Sequence, residues 1–285
     1  MQVGIGLPTT IPGAAPELIV KWARRAEEES FSSLGVLDRI VYHCYEPLTV
    51  LAAAATVTGR IRLATTIIIG PLRNTAVLAK EAATIDALSG GRLTLGLAVG
   101  ARMEDYKAAG VDPRSRGKRL SEQLATLRSY WENEAIGPKP VQPNGPELLV
   151  GGLSDQVFAR VARYADGYVH GGGPPRAFAR AAHKARAAWT DAGRPGQPRL
   201  WGQAYFALGG AAEAGAAYLR DYYAFTGPFA EKIAAGLLTT PQALAQFIRG
   251  YEDAGCDELV LFPTVPDMSQ LDRLADVTSG RTRHR

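Results

Sequence analysis

Residues 59–100 read GRIRLATTIIIGPLRNTAVLAKEAATIDALSGGRLTLGLAVG and hold strand, loop, helix, turn and strand in direct succession. Residues 61–69 are apolar and β-branched without sustained alternation, which is typical of a strand buried on both faces. Gly70 and Pro71 end this strand, because proline cannot donate a hydrogen bond to a neighbouring strand and glycine favours a turn.

The middle of the same stretch predicts a helix over residues 75–88, because apolar side chains recur there with a 3.6-residue period. Its expected buried face consists of Val77, Leu78, Ile85 and Leu88. Gly90 and Gly91 then allow the left-handed turn that commonly ends a helix. The apolar residues 93–99 follow as a second strand, so the stretch is a right-handed parallel crossover unit.

The same alternation continues along the chain, with strands expected to begin near residues 2, 34, 61, 93, 147, 167, 200 and 258. Eight strands, each followed by a helix, predict an α/β fold of the TIM-type (β/α)8 barrel class. The 285 residues match the size of one such barrel, so a single domain is expected over residues 1–285, with a short basic tail from about residue 279. Residues 101–115 read as a polar loop, and residues 134–146 as a proline-rich connection.

Composition narrows the class of protein. The 32 basic and 28 acidic side chains give a net charge of +4, and no basic stripe interleaves with aromatic residues, which argues against nucleic acid as a partner. The modest positive excess suits an anionic small molecule or cofactor. Cys44 and Cys256 are far apart, so neither a disulfide scaffold nor a metal site is expected. No leader peptide is visible, and the apolar runs are shorter than the about 20 residues that span a bilayer, so we expect a soluble cytoplasmic protein.

Candidate site residues follow from the fold, because the active sites of these barrels lie at the carboxyl ends of the strands. The residues at those ends are Leu7, Asp38, Arg39, Thr66, Ile67, Val99, Gly100, Gly151, Gly152, His170, Gln203 or Tyr205, and Phe262.

Several candidate residues have two readings. Gly151 and Gly152 either only turn the chain or let backbone N–H groups approach a phosphate at a helix N-terminus. His170 either carries a proton or lines the mouth without chemistry. Glu104 and Asp105 are adjacent in an expected loop, so they are not expected to form an acid–base pair.

Three runs of sequence closely resemble the bacterial luciferase-like monooxygenase superfamily. They are residues 46–100, with LSGGRLTLGLAVG (88–100) as their most specific part, LLVGGLSDQVFARVARYADGYV (148–169) and YEDAGCDELVLFP (251–263). The resemblance implies an oxidoreductase that uses a flavin or the deazaflavin coenzyme F-420 on a TIM barrel, commonly as a homodimer. It implies cofactor-binding roles for Leu7, Asp38, Thr66, Ile67, Val99, Gly100, Gly151, Gly152 and Leu153, with the cofactor phosphate near the glycine pair. It also implies a non-proline cis peptide at Thr66–Ile67 or one bond away.

The chain departs from the family after the second strand. Relatives often carry Asp-His there, with the histidine as proton donor or acceptor, whereas this chain has Asp38-Arg39. Arginine does not titrate near neutrality, and His43 is the nearest imidazole, so the catalytic candidates are Arg39, His43 and His170. Our hypothesis is that Arg39 holds an anionic reduced cofactor or an anionic substrate. The alternative is that it only pairs with Asp38 or a loop carboxylate.

The expected function is therefore that of a flavin-dependent monooxygenase that uses reduced FMN, supplied by a separate flavin reductase, on a small organic substrate. A dehydrogenase or reductase dependent on coenzyme F-420 is the alternative. A non-catalytic flavin-binding protein is a third reading, because the family histidine is missing. We also expect a homodimer through residues 47–57 and 75–88, since the first of these helices is apolar nearly all round and carries small alanines at positions 52–55.

Overall fold

Eight parallel strands close into a barrel in the computed structural model, which describes residues 1–133 and 136–282. Each strand pairs with the next along the chain, and the last pairs with the first. The strands are β1 (Gln2–Gly6), β2 (Ser33–Val36), β3 (Arg62–Ile69), β4 (Leu93–Ala98), β5 (Glu147–Gly151), β6 (Gly167–His170), β7 (Arg199–Phe206) and β8 (Glu258–Pro263). The prediction of a TIM-type (β/α)8 barrel is confirmed.

Helices alternate with the strands around the outside of the barrel. They are α1 (Pro16–Glu28), α2 (Pro47–Val57), α3 (Thr75–Ser89), α4 (Met103–Ala108), α5 (Arg116–Glu132), α6 (Asp155–Tyr164), α7 (Pro175–Asp191), α8 (Ala212–Tyr222), α9 (Phe229–Ala235), α10 (Pro241–Asp253) and α11 (Ser269–Thr282). Within the described residues, no helix is both long enough and apolar enough to cross a bilayer. The expected tail from about residue 279 is helical as far as Thr282, and residues 283–285 lie outside the described part of the chain.

The expected loop over residues 101–115 is the clearest correction to the predicted elements. It contains α4 and a 3-10 turn over Pro113–Ser115. Asp105 of α4 is fully buried, and its carboxylate accepts the backbone N–H groups of Ile40 and Val41. A helix that depends on this long-range contact has little local signature in the sequence.

The predicted inner face of α3 is half wrong. Leu78 and Ile85 are buried, but Val77 and Leu88 are 55% and 54% exposed. Small residues complete the buried face, namely Ala79, Ala82 and Ala83. The prediction counted only large apolar side chains, whereas α3 packs closely against α2 and α5 through its alanines.

The apolar core has two parts. One lies between the strands and the outer helices, and the other fills the barrel interior. The interior part includes Trp201 and Tyr205 of β7 and continues upward to Tyr218, Leu219 and Tyr222 of α8. The connection after β7 therefore folds back over the carboxyl end of the barrel, and we call residues 218–225 the cap segment.

An irregularity in β3 shapes the mouth of the barrel. The register between β3 and β4 shifts between Thr65 and Ile68, and the Thr65 hydroxyl bonds to both the N–H and the carbonyl of Gly96, at 2.7 and 2.8 Å. A Cβ atom at Gly96 would lie 2.2 Å from the Thr65 carbonyl oxygen, so the close approach requires glycine. The Thr66–Ile67 bond within this irregularity is cis, as predicted.

Candidate active site

A cavity of about 140 Å³ lies at the carboxyl mouth of the barrel. The ends of four strands and the cap segment converge on it, as expected for this fold. It is lined by Leu37, Asp38, Arg39, Thr66, Ile67, Ile69, Gly100, Ala101, Arg102, Gln203, Tyr222, Tyr223 and Phe225. Six of the residues predicted from the strand ends thus surround one space, namely Asp38, Arg39, Thr66, Ile67, Gly100 and Gln203, which was predicted as the alternative to Tyr205.

Asp38 ties the end of β2 to the end of β3. Its carboxylate accepts the backbone N–H of Ile69 at 2.9 Å and pairs with Arg73 at 3.3 Å. Burial raises the pKa of Asp38 above its ordinary value, although Arg73 and the Ile69 amide oppose that shift. Arg73 also pairs with Glu46 at 2.8 Å. The Asp38 carboxylate is therefore committed to internal contacts that hold the loops at the mouth.

Arg39 is buried against aromatic rings. Its guanidinium carbon lies 3.9 Å from the ring centre of Tyr42 and 4.6 Å from that of Tyr222, and its Nη1 donates to the Tyr222 carbonyl at 2.6 Å. The buried Nε has no hydrogen-bond partner. Asp38 pairs with Arg73 instead, and in the described part of the chain no carboxylate oxygen lies within 4 Å of the Arg39 nitrogens. Arg39 thus joins the barrel to the cap segment while bringing an unpaired charge to the cavity.

Arg102, on the opposite wall, has its charge balanced. Its guanidinium pairs with Glu104 at 2.6 Å and lies 3.9 Å from Asp105, and it also packs 5.1 Å from the ring centre of Phe225 in the cap segment. Glu104 and Asp105 therefore share one arginine. The structural role of Asp105 was not predicted, because neighbouring acidic residues in a polar segment look solvated.

The cap segment is fixed to the barrel by its tyrosines and by Asp221. The Tyr218 and Thr10 hydroxyls lie 2.7 Å apart, Tyr42 donates to Asp221 at 2.5 Å, and the Tyr205 and Tyr223 hydroxyls lie 2.7 Å apart. Burial raises the pKa of Tyr205 and of Tyr223, so both remain protonated phenols at neutral pH. Four aromatic residues in the run YLRDYYAF (218–225) are the sequence signal that could have identified this segment.

The two candidate catalytic histidines lie outside the cavity lining. His43 has an exposed side chain in the loop after β2. His170 is buried at the end of β6, where its Nδ1 lies 3.0 Å from the Tyr168 hydroxyl. Burial lowers the pKa of His170 to about 4, so this imidazole is neutral at physiological pH.

The remaining predicted cofactor residues also lie outside this cavity lining. Leu7 is buried, Val99 is half-buried, and Leu153 is 71% exposed. Gly151 lies at the end of β5, and Gly152 adopts φ = 130°, a conformation that favours glycine. Together with Leu153 they lead into the N-terminus of α6, so the geometry there is compatible with a phosphate.

Unpartnered polar atoms gather around the cavity. Four residues that line it each carry a buried side-chain atom without a hydrogen-bond partner among the described residues, namely Arg39 Nε, Thr66 Oγ1, Arg102 Nε and Gln203 Oε1. Buried polar atoms are nearly always hydrogen-bonded, and those that are not need an explanation. A ligand with both donors and acceptors would satisfy them.

Comparison with known proteins identifies similar chains. The model of a family described as luciferase-like monooxygenase matches residues 1–259. An uncharacterised protein of Mycobacterium tuberculosis, Rv0953c, is 31% identical over 193 residues, which is 62% of this chain and 67% of that protein. A solved F420-dependent secondary alcohol dehydrogenase with an F420-acetone adduct superposes with a TM-score of 0.79 at 17% identity, over 97% of each chain. The oxygenating constituent of 3,6-diketocamphane monooxygenase from Pseudomonas putida, a type II Baeyer-Villiger monooxygenase in complex with FMN, superposes with a TM-score of 0.70 at 16% identity, over 92% of this chain and 91% of that one.

Proposed function

The chain belongs to the luciferase-like monooxygenase family, and from that premise we propose that it is a flavin-dependent monooxygenase that uses reduced FMN on a small organic substrate. The observation that carries the proposal is the set of unpartnered polar atoms at the barrel mouth. A flavin ring carries carbonyl oxygens and an N–H along its pyrimidine edge. Arg39 Nε can donate to such an edge, Gln203 Oε1 can accept from it, and the Thr66 hydroxyl can do both.

The residues at the mouth therefore fit the ring of a flavin. Thr66, Ile67 and Gln203 would hold it, and Gly151, Gly152 and Leu153 would receive its phosphate near the N-terminus of α6. When bound, the flavin would supply the redox chemistry, which no side chain of the protein provides.

The protein's own contribution would be binding, orientation and the exclusion of water. The cap segment covers the cavity with Tyr222, Tyr223 and Phe225. Asp38 holds the loops in place. Arg39 would supply a fixed positive charge, which favours the anionic form of a reduced flavin. His43 and His170, which do not line the cavity, are then poor candidates for the family's acid–base residue.

Coenzyme F-420 is the alternative cofactor, because a deazaflavin presents the same pyrimidine edge to Arg39, Thr66 and Gln203. The polar atoms at the mouth fit both rings. A dehydrogenase or reductase that uses F-420 is thus the second candidate function. In the FMN-dependent case, a separate flavin reductase would supply the reduced cofactor.

A homodimer through α2 and α3 is also part of the proposal. Val77 and Leu88 are exposed on α3, and they are 11 positions apart, so they lie on nearly the same side of the helix. Ala53 on the neighbouring α2 is exposed as well. Packing of a second copy against this surface would cover the two large apolar side chains.

The proposed function is tested by the visible spectrum and mass of any chromophore that purifies with the chain, followed by titrations with FMN and with F-420. Gln203→Leu should weaken binding of the preferred cofactor about 3- to 10-fold, the loss expected for one neutral hydrogen bond.

Gln123→Leu is a matched control, because Gln123 also donates to a glycine carbonyl and leaves its Oε1 buried and unpartnered, but lies on α5 outside the cavity. The proposal fails if the chain binds neither cofactor. Binding without any turnover of reduced cofactor would favour the non-catalytic reading.

A further inference from the structure

A pair of phenols lies between the barrel interior and the cavity. Tyr205 is on β7, Tyr223 follows α8, and their hydroxyl oxygens are 2.7 Å apart. Tyr223 lines the cavity, whereas Tyr205 does not. In a hydrogen bond between two phenols, only the proton of the donor hydroxyl lies in the bond, and the proton of the acceptor hydroxyl stays available. When Tyr205 is the donor, the Tyr223 proton is available to a ligand.

The other polar side chains of the cavity have other partners, since Arg39, Thr66 and Gln203 face the edge of the flavin in the proposed function. Asp38 is held by Arg73 and the Ile69 amide. The Tyr222 ring packs against Arg39 and meets Tyr42 edge-on, with ring centres 5.3 Å apart. The family histidine is replaced by arginine, as noted above. Tyr223 is the remaining phenol at the cavity whose hydroxyl is held in place by another side chain.

We infer that Tyr223, positioned by Tyr205, donates a hydrogen bond to a substrate oxygen on which negative charge develops. The substrate class would then be a carbonyl or hydroxyl compound. This inference rests on the proposed function, since it assigns the substrate half of the same site. Because burial raises the pKa of both phenols, Tyr223 would act as a hydrogen-bond donor that keeps its proton.

Aromatic side chains shape the part of the cavity next to Tyr223. Tyr222, Tyr223 and Phe225 line it there. Flat apolar surfaces of this kind suit a substrate that carries a flat ring beside its oxygen.

The inference can be tested with 4-nitrophenol, a single-ring probe whose phenolate form absorbs visible light. The full chain as purified is titrated with the probe across the pH range in which the probe ionises, and the absorbance of any bound flavin is subtracted. The wild-type protein should bind the phenolate in preference to the phenol, so that the apparent pKa of the bound probe falls.

The substitutions separate a donor from a merely structural residue. Tyr223→Phe should weaken phenolate binding about 10- to 100-fold, the loss expected for a hydrogen bond to a charged acceptor. Tyr205→Phe should weaken it by a smaller factor of about 2 to 10, because Tyr223 keeps its hydroxyl but loses its support. Tyr251→Phe is the control and should change binding by less than about twofold, since the Tyr251 hydroxyl donates to the Gly173 carbonyl at 2.9 Å, outside both the cavity lining and the cap segment.

Three results would overturn the inference. They are no saturable binding of 4-nitrophenolate by the wild-type chain, unchanged binding by Tyr223→Phe, and an equal loss in Tyr251→Phe. In the second case, a loss of binding in Arg39→Met would show that the arginine alone recognises the oxyanion. Titration of each variant with FMN keeps the two ideas separate. Normal FMN binding with no probe binding contradicts this inference only, whereas loss of FMN binding by the wild-type chain contradicts the proposed function.

Discussion

Replacement of Arg39 by methionine should weaken the binding of reduced FMN much more than that of oxidised FMN. Arg39 Nε is buried at the cavity without a partner, and no carboxylate of the described chain pairs with this guanidinium within 4 Å. A charge-assisted hydrogen bond is worth about 1.5–3 kcal/mol, so the reduced, anionic flavin should bind roughly 10- to 100-fold more weakly to the variant. The ring of oxidised flavin is neutral, so its affinity for the variant should fall by a smaller factor.

The difference between the two redox states gives a direct assay. If the affinity for the reduced form alone falls by about 10- to 100-fold, the midpoint potential of bound FMN should fall by about 30–60 mV, because a tenfold change corresponds to about 30 mV for a two-electron couple. Spectroelectrochemical titration of the bound flavin measures this shift. The pH profile of activity should keep its shape, since arginine does not titrate near neutrality.

The same substitution should also destabilise the protein. Arg39 donates to the Tyr222 carbonyl and packs on two tyrosine rings, so we expect a loss of about 2–4 kcal/mol in the free energy of unfolding. The sequence alone does not show this contribution to stability, because the contact with the cap segment is long-range.

Arg194→Met is the matched control for this prediction. Arg194 lies 3.9 Å from the ring centre of Trp189 and donates to the Ala162 carbonyl at 2.9 Å, on the outside of the barrel. The Arg194→Met substitution should lower the free energy of unfolding without changing the midpoint potential of bound FMN. An Arg39→Met protein whose bound flavin has the wild-type potential would refute the electrostatic role. A shifted pH optimum would instead show that Arg39 tunes a neighbouring group.

Three further predictions concern other parts of the molecule. The pKa of His170 is lowered to about 4 in the folded state, from about 6.5 in the unfolded chain. Its contribution to stability should therefore be complete above about pH 6.5 and lost as the pH falls through about 4. Urea unfolding should accordingly give a free energy of unfolding about 2 kcal/mol lower at pH 5 than at pH 7. This pH dependence should be absent from His170→Asn and kept in the exposed His183→Asn. Asp105→Ala should cost about 2–4 kcal/mol, because it removes a charged acceptor from two partly buried backbone N–H groups. It should also speed hydrogen exchange at Ile40 and Val41, whereas Glu104→Ala should cost less than about 1 kcal/mol. If the homodimer forms through α3, Leu88→Glu should give a monomer by light scattering. The control Val20→Glu, on α1, should leave the dimer intact. A wild-type chain that is already monomeric at micromolar concentration would refute this interface.

Most of the fold could be predicted because its signals are local. The β-branched runs that end in glycine or proline identify the strands, and Gly90 ends α3 in the left-handed conformation that the sequence predicts. Asn74 caps the same helix by accepting the N–H groups of Ala76 and Val77. The signals failed where a contact between distant segments decides the structure, as for Asp105 and α4.

The site could be predicted only in part, because contacts between distant segments place some of its residues. The rule that barrel sites lie at the strand ends brought Asp38, Arg39, Thr66, Ile67 and Gly100 to one cavity. It could not place Tyr222 or Tyr223, because they lie in the long connection after β7, and no local pattern shows which part of that connection folds back over the mouth. The aromatic-rich run of the cap segment was visible, but its partners in the loops after β1, β2 and β4 were not.

The most direct test of the central claim is a crystal structure of the chain soaked with FMN. We expect density for the flavin ring in the mouth cavity, within hydrogen-bond distance of Gln203 Oε1 and the Thr66 hydroxyl, and density for the phosphate beside Gly151 and Gly152. A map with flavin bound elsewhere on the molecule, or with no flavin at saturating FMN, would contradict it.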